Sequence, residues 1–194
     1  TETMLKFTAS LLTAIALATP AGAVTTVRGI PNSHRDLVQA ISDVGGYSYV
    51  NPEYFCGDAN APDGLYTWND SQETALVVCQ DNATGEREVA WTANDLDTLR
   101  HEAWHMIQDC IYDERGDTNL HPLSYSKEYI DMLISTAVDV LGEERVKSIA
   151  FSYKSNGADE KTIIMEIEAF LVAATVSPDM FCLLYTSDAA DEAD

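Results

Sequence analysis

Positive charge is scarce in this chain: 11 Lys and Arg stand against 32 Asp and Glu, and the formal net charge is −21. A surface that acidic repels phosphate backbones and anionic lipid, so nucleic acid and membrane surfaces are poor partners and no nucleic acid is expected. A long hydrophobic run is also missing. The apolar stretch at residues 9–18 is too short to span a bilayer. The chain has no serine nucleophile elbow, no phosphate-cradling glycine loop and no basic aromatic segment. It lacks a CxxC metal pattern and any internal repeat.

Both ends read as something other than working protein. Met4 and Lys6 precede the apolar stretch, and Ala21-Gly22-Ala23 follows it. A short basic segment, an apolar core and a small-residue cleavage site describe a secretory signal peptide over residues 1–23. That places the mature protein outside the cell or in a periplasm, with no membrane insertion once the signal is removed. At the other end, CLLYTSDAADE (182–192) resembles a translated sequencing-library adapter. Residues 182–194 are therefore expected to be a non-native tail, with the natural chain continuing past Phe181. Residues 24–181 are then one domain by length, truncated at its C-terminus, and enough to bury a core. Nothing in the sequence sets the oligomeric state.

Cysteine is sparse. Outside the tail there are Cys56, Cys79 and Cys110. An exported protein meets an oxidising compartment, so disulfides are allowed. The odd count leaves one thiol over, and Cys56 with Cys79 is the preferred pair, since both fall in the half rich in loops and strands.

The hydrophobic period changes along the chain. Residues 34–44 have helical spacing. Residues 45–91 read as short strands and turns: Leu65 to Trp68 after the Asp63-Gly64 turn, Thr74 to Gln80, and a return strand at 86–91 completing a hairpin. Thr92 with Asp95 fits an N-terminal capping pair, and Leu96, Leu99, Ala103, Met106, Ile107 and Cys110 predict a helix over 93–112. Further helices are expected at 127–141, 143–153 and 159–175, with Asn156-Gly157 as a break. Strands first and helices after imply an α+β fold with a small N-terminal antiparallel sheet.

The chemistry lies in His101-Glu102-Ala103-Trp104-His105, an HExxH arrangement. Residues four apart on a helix share a face, about 6 Å apart at Cβ. Both imidazoles can reach one ion, and zinc accepts such nitrogens at roughly 2.1 Å. Glu102 beside them is placed to take a proton from water as general base. Catalytic zinc usually has a third protein ligand. Gln108 and Ile111 stand where the extended metzincin pattern has its Gly and final His, so that ligand lies elsewhere. Glu166 and Glu168, in the apolar run MEIEAFLVAA, are the candidates, because burying carboxylates there requires a partner such as a dication.

HExxH followed by a glutamate on a later helix resembles the gluzincin zinc peptidases, over residues 92–175. In many of them the ligand Glu is followed three residues on by Ala or Ser. Ala169 stands at that offset from Glu166, while Leu171 does so from Glu168, so the resemblance implies Glu166 as ligand and a small residue where two helices meet. Phe170 replaces the Asp or Asn that often follows the motif. Support for the imidazoles then falls to Asp97, Asp109 or Glu168. His121, Tyr125, Tyr129 and Tyr153 are candidate oxyanion donors. The implied activity is zinc-dependent hydrolysis of a peptide bond in a protein, peptide or cell-wall peptide. Two other readings stay open: a non-catalytic extracellular binding domain with a vestigial or structural zinc, and an interaction protein without metal.

Overall fold

The structure is a computed structural model, and it describes residues 27–69, 73–110 and 120–181. The segments read as signal peptide (1–23) and tail (182–194) lie outside the described residues. Helix α1 (Asn32–Asp43) buries Leu37, Ala40 and Ile41, the i, i+3, i+4 face of its sequence. Strand β1 (Tyr47–Val50), the short helix α2 (Glu53–Cys56), β2 (Gly64–Trp68) and β3 (Thr74–Val78) follow. The second half is helical: α3 (Ala93–Cys110), α4 (Lys127–Leu141), α5 (Glu143–Ser155) and α6 (Glu160–Thr175). Strands precede helices, and the α+β class is observed.

The sheet is mixed rather than wholly antiparallel. Its order is β1-β3-β2. β1 runs parallel to β3, from Tyr47 opposite Ala75 to Val50 opposite Val78. β2 runs antiparallel to β3, from Gly64 opposite Val78 to Trp68 opposite Thr74. The central strand TALVV is buried at every position, which its unbroken apolar and β-branched run permits.

The return strand expected at 86–91 does not form. Both edges of β3 are occupied, so a third partner has no free ladder. One side-chain amide takes over that role. Gln80 Nε2 donates to the Val89 carbonyl at 3.0 Å, and Gln80 Oε1 accepts from Val89 N–H at 2.9 Å. Asn51 Nδ2 adds a bond to the Arg87 carbonyl at 3.2 Å. The expected disulfide is present: Cys56 joins Cys79, closing the chain across 23 residues and fastening α2 beside the end of β3.

Two buried clusters share α6. One joins α1, the sheet and α3 through Leu37, Ile41, Leu76, Leu99, Met106 and Phe181. The other joins α4, α5 and α6 through Leu133, Ile149, Tyr153, Ile164 and Ile167. α3 packs on the sheet on one side and on α6 on the other, so its last turns are buried all round. Ala103 and Ala169, both fully buried in the first cluster, are small enough to let α3 and α6 approach. No helix among the described residues is long and apolar enough to cross a membrane.

Arg100 pins three of these helices. Its Nε donates to the Ala173 carbonyl at 2.8 Å and its NH1 to His34 Nε2 at 2.6 Å, while NH2 pairs with Asp97. An accepting Nε2 requires a neutral ring. Burial, then the Arg100 charge, lower the His34 pKa to about 4, with Asp179 partly opposing. The unfolded chain therefore takes up this proton first. The contribution is fully present above about pH 6.5 and is lost as pH falls to about 4, amounting to at most about 3 kcal/mol. Thermal melts between pH 7 and 4 should fall more steeply for the native protein than for His34→Gln, which accepts the same bond without titrating. Parallel curves would remove His34 from the acid response.

Candidate metal centre

Helix α3 starts from a reciprocal cap. Thr92 N–H donates to Asp95 Oδ2 at 2.7 Å, and Asp95 N–H donates to Thr92 Oγ1 at 3.1 Å. Two turns on, His101 and His105 stack on the face that meets α6, with ring centroids 4.7 Å apart and planes nearly perpendicular at 87°. Glu166 approaches them from α6.

Three ligand atoms converge. Glu166 Oε2 lies 3.2 Å from His101 Nε2 and 3.5 Å from His105 Nε2. The two imidazole nitrogens are 3.0 Å apart. Bonds of about 2.0–2.2 Å to a tetrahedral ion would set its neighbouring ligands roughly 3.3–3.6 Å apart, so the triangle fits one metal ion with little adjustment. All three residues are buried. Burial pushes the Glu166 carboxyl up, but the two imidazoles outweigh it and hold it well below the usual carboxylate range. Burial likewise pulls His105 down, yet Glu166 raises it to about 9. Glu166 is therefore ionised, and the pocket favours positive charge. Among the described residues these three form the one cluster of His, Cys, Asp or Glu able to hold a metal ion.

The orientation of His105 follows from a buried amide that sequence reasoning missed. Gln108 Nε2 faces the Met165 carbonyl at 3.1 Å and Glu168 Oε2 at 2.6 Å, both acceptors. Gln108 Oε1 must then face His105 Nδ1, 2.7 Å away, and that nitrogen must carry the proton. Nε2 is left to face the cluster, where a metal ion would displace its proton. The signal was present, a Gln three residues after the second His on a buried face. His101 is held differently. Its Nδ1 has no hydrogen-bond partner among the described residues. The Phe170 ring packs against it with centroids 4.4 Å apart.

Glu168 does not join the cluster. It accepts from Trp104 Nε1 at 3.0 Å, Leu123 N–H at 3.0 Å, Gln108 and the Tyr129 hydroxyl. Its part at the centre is indirect, through Gln108. Asp109 accepts from the Tyr66 hydroxyl, and Asp97 pairs with Arg100. Neither is the imidazole support the sequence offered, because each faces a different neighbour around α3.

Glu102 is buried beside the imidazoles. Burial raises its pKa, opposed by His101 and His105 and by a hydrogen bond from the Tyr66 backbone. Gly64, at the start of β2, makes this possible. A Cβ there would stand 2.6 Å from Glu102 Oε1 and 2.5 Å from Thr98 Cγ2, so only bare backbone can lie so close. Two clefts, of about 160 and 410 Å³, meet at the cluster and share Glu102, His105, Tyr153 and Glu166.

Of the four candidate donors, Tyr153 alone is at the centre, hydrogen-bonded to Glu166 and held as a neutral phenol by burial. His121 Nδ1 and the Tyr125 hydroxyl pair with each other at 2.8 Å and line neither cleft, while Tyr129 is spent on Glu168. Comparison with models of known families, with curated proteins and with solved structures finds no match for this chain.

Proposed function

We propose that this protein is an exported zinc-dependent hydrolase that cleaves peptide bonds. One observation carries the reading: His101, His105 and Glu166 converge at metal-ligand spacing beside a buried Glu102 that faces both clefts. Two nitrogens and one carboxylate are a donor set zinc takes in hydrolytic sites, and zinc held there would supply Lewis acidity, lowering the pKa of bound water and polarising a carbonyl. The chain's own residues do the rest. Glu102, beside the cluster and lining both clefts, accepts the proton of the attacking water and passes it to the leaving amine. Gln108 keeps the proton of His105 on Nδ1. Tyr153, lining both clefts, gives its hydroxyl proton to Glu166 and so orients that carboxylate toward the imidazoles.

Metal storage alone does not require Glu102, which favours an enzyme over a non-catalytic metal-binding domain. The Cys56–Cys79 disulfide suits an oxidising compartment, secreted or periplasmic. Purified protein should carry one equivalent of zinc by elemental analysis and hydrolyse a mixed peptide substrate in a chelator-sensitive way. Zinc without any turnover would leave the binding domain, and protein that takes up no zinc would leave the metal-free interaction protein.

A further inference from the structure

The smaller cleft carries a cation that the fold leaves unspent. Arg145, near the start of α5, is the one Lys or Arg among the described residues that lines it. In this chain acids outnumber bases almost three to one, yet Arg145 makes no ion pair with any described residue. The cleft's acids are engaged: Asp97 pairs with Arg100, and Asp63 accepts from Asn94 Nδ2 at 3.4 Å. The Arg145 guanidinium is held instead over the Phe170 ring, 5.9 Å from its centroid. That ring packs on His101, centroids 4.4 Å apart. One aromatic ring thus links the cation to a metal-binding imidazole. At roughly 3.3–3.6 Å per extended residue, the guanidinium lies within a few residues of a bond held at the cluster.

We infer that Arg145 is a specificity residue that binds a carboxylate of the substrate, one to three residues from the bond cleaved. A guanidinium that lines a cleft can match a carboxylate bidentately. Stacking on Phe170 restricts the side chain before ligand arrives and leaves its N–H groups to donate. The surrounding negative field repels acidic ligands in general, so only one that reaches Arg145 recovers the loss. This rests on the proposed hydrolase reading, because it places substrate in the cleft beside Glu102. A C-terminal carboxylate and an Asp or Glu side chain offer the same chemistry.

The test uses zinc-loaded Glu102→Gln protein, so that peptides are bound and not consumed. Three N-acetylated peptides of one neutral sequence are compared: amidated, with a free C-terminal carboxylate, and amidated with a single Glu. At least one carboxylate peptide should bind about five-fold or more tighter than the neutral one, and added salt should narrow the gap. Whichever gains identifies the source of the carboxylate. Adding Arg145→Gln should bring the ratio to one, and Arg145→Lys should retain part of it. Arg145 is exposed, so neither change threatens the core. No preference, or one that Arg145→Gln leaves intact, would overturn the inference. Turnover by protein retaining Glu102 is measured in parallel. Its absence alongside an Arg145-dependent preference would sink the hydrolase reading and keep the carboxylate site. Its presence without that preference would do the reverse.

Discussion

Replacing Glu102 with Gln should leave one zinc bound and reduce peptide hydrolysis at least about a hundredfold, the low end of what a positioned proton acceptor supplies. The amide nearly matches the carboxylate in size, so the contact with Gly64 and the bond from the Tyr66 backbone can persist. What is lost is basicity. Glu102 touches none of the Nε2 and Oε2 atoms of the triangle as a ligand, so metal content should not follow activity down. Elemental analysis together with initial rates checks both halves. Undiminished hydrolysis would show that another base does the chemistry, or that the activity belongs to a contaminant.

The second large effect separates two glutamates that are neighbours in sequence. Glu166→Ala removes one of the three proposed ligands and should weaken zinc by more than the roughly 10–100-fold typical of losing an outer partner. Its fold should survive, since the two apolar clusters that α6 joins do not depend on Glu166. Glu168→Ala should show the opposite signature. It strands donors from Trp104, Leu123, Gln108 and Tyr129, and each unsatisfied buried donor costs about 1–3 kcal/mol. Melting temperature should therefore fall far more for Glu168→Ala, and zinc affinity far more for Glu166→Ala. A competitive zinc titration and a thermal melt on each variant suffice. The reverse ranking would transfer the ligand role to Glu168.

How much of this was legible follows from the range of the interactions involved. Helices α3 to α6 could be placed closely because capping and apolar period are local, as Thr92 with Asp95 and the Asn156-Gly157 break show. The pair at 101 and 105 was legible for the same reason. Strand partners were not. Which strand sits beside β3 depends on β1, far upstream, reaching its second edge, and no pattern in residues 86–91 announces that. The small residue at 169 favours Glu166 over Glu168 as the ligand, and Glu166 is the one of the two that meets the imidazoles. Asp109 was misplaced because a helical position gives a direction only once the neighbours are known, and Tyr66 comes from the sheet. Among the tyrosines, Tyr129 and Tyr153 both lie on helices over α6. Only packing decides that one hydroxyl meets Glu168 and the other Glu166.

The amide between His105 and Glu168 has a consequence for how the ion comes and goes. Gln108, Glu168, Trp104 and Tyr129 are bonded to one another and to backbone, and none of those bonds passes through a metal. With the two apolar clusters on either side of α6, they hold α3 and α6 in place whether the ion is present or absent. In a zinc finger the ion creates the fold, and stripping it unravels the chain. Here the receptacle is preorganised, so chelation should empty it without melting it, and the stripped protein should be rechargeable by simple addition of the ion, with no refolding step.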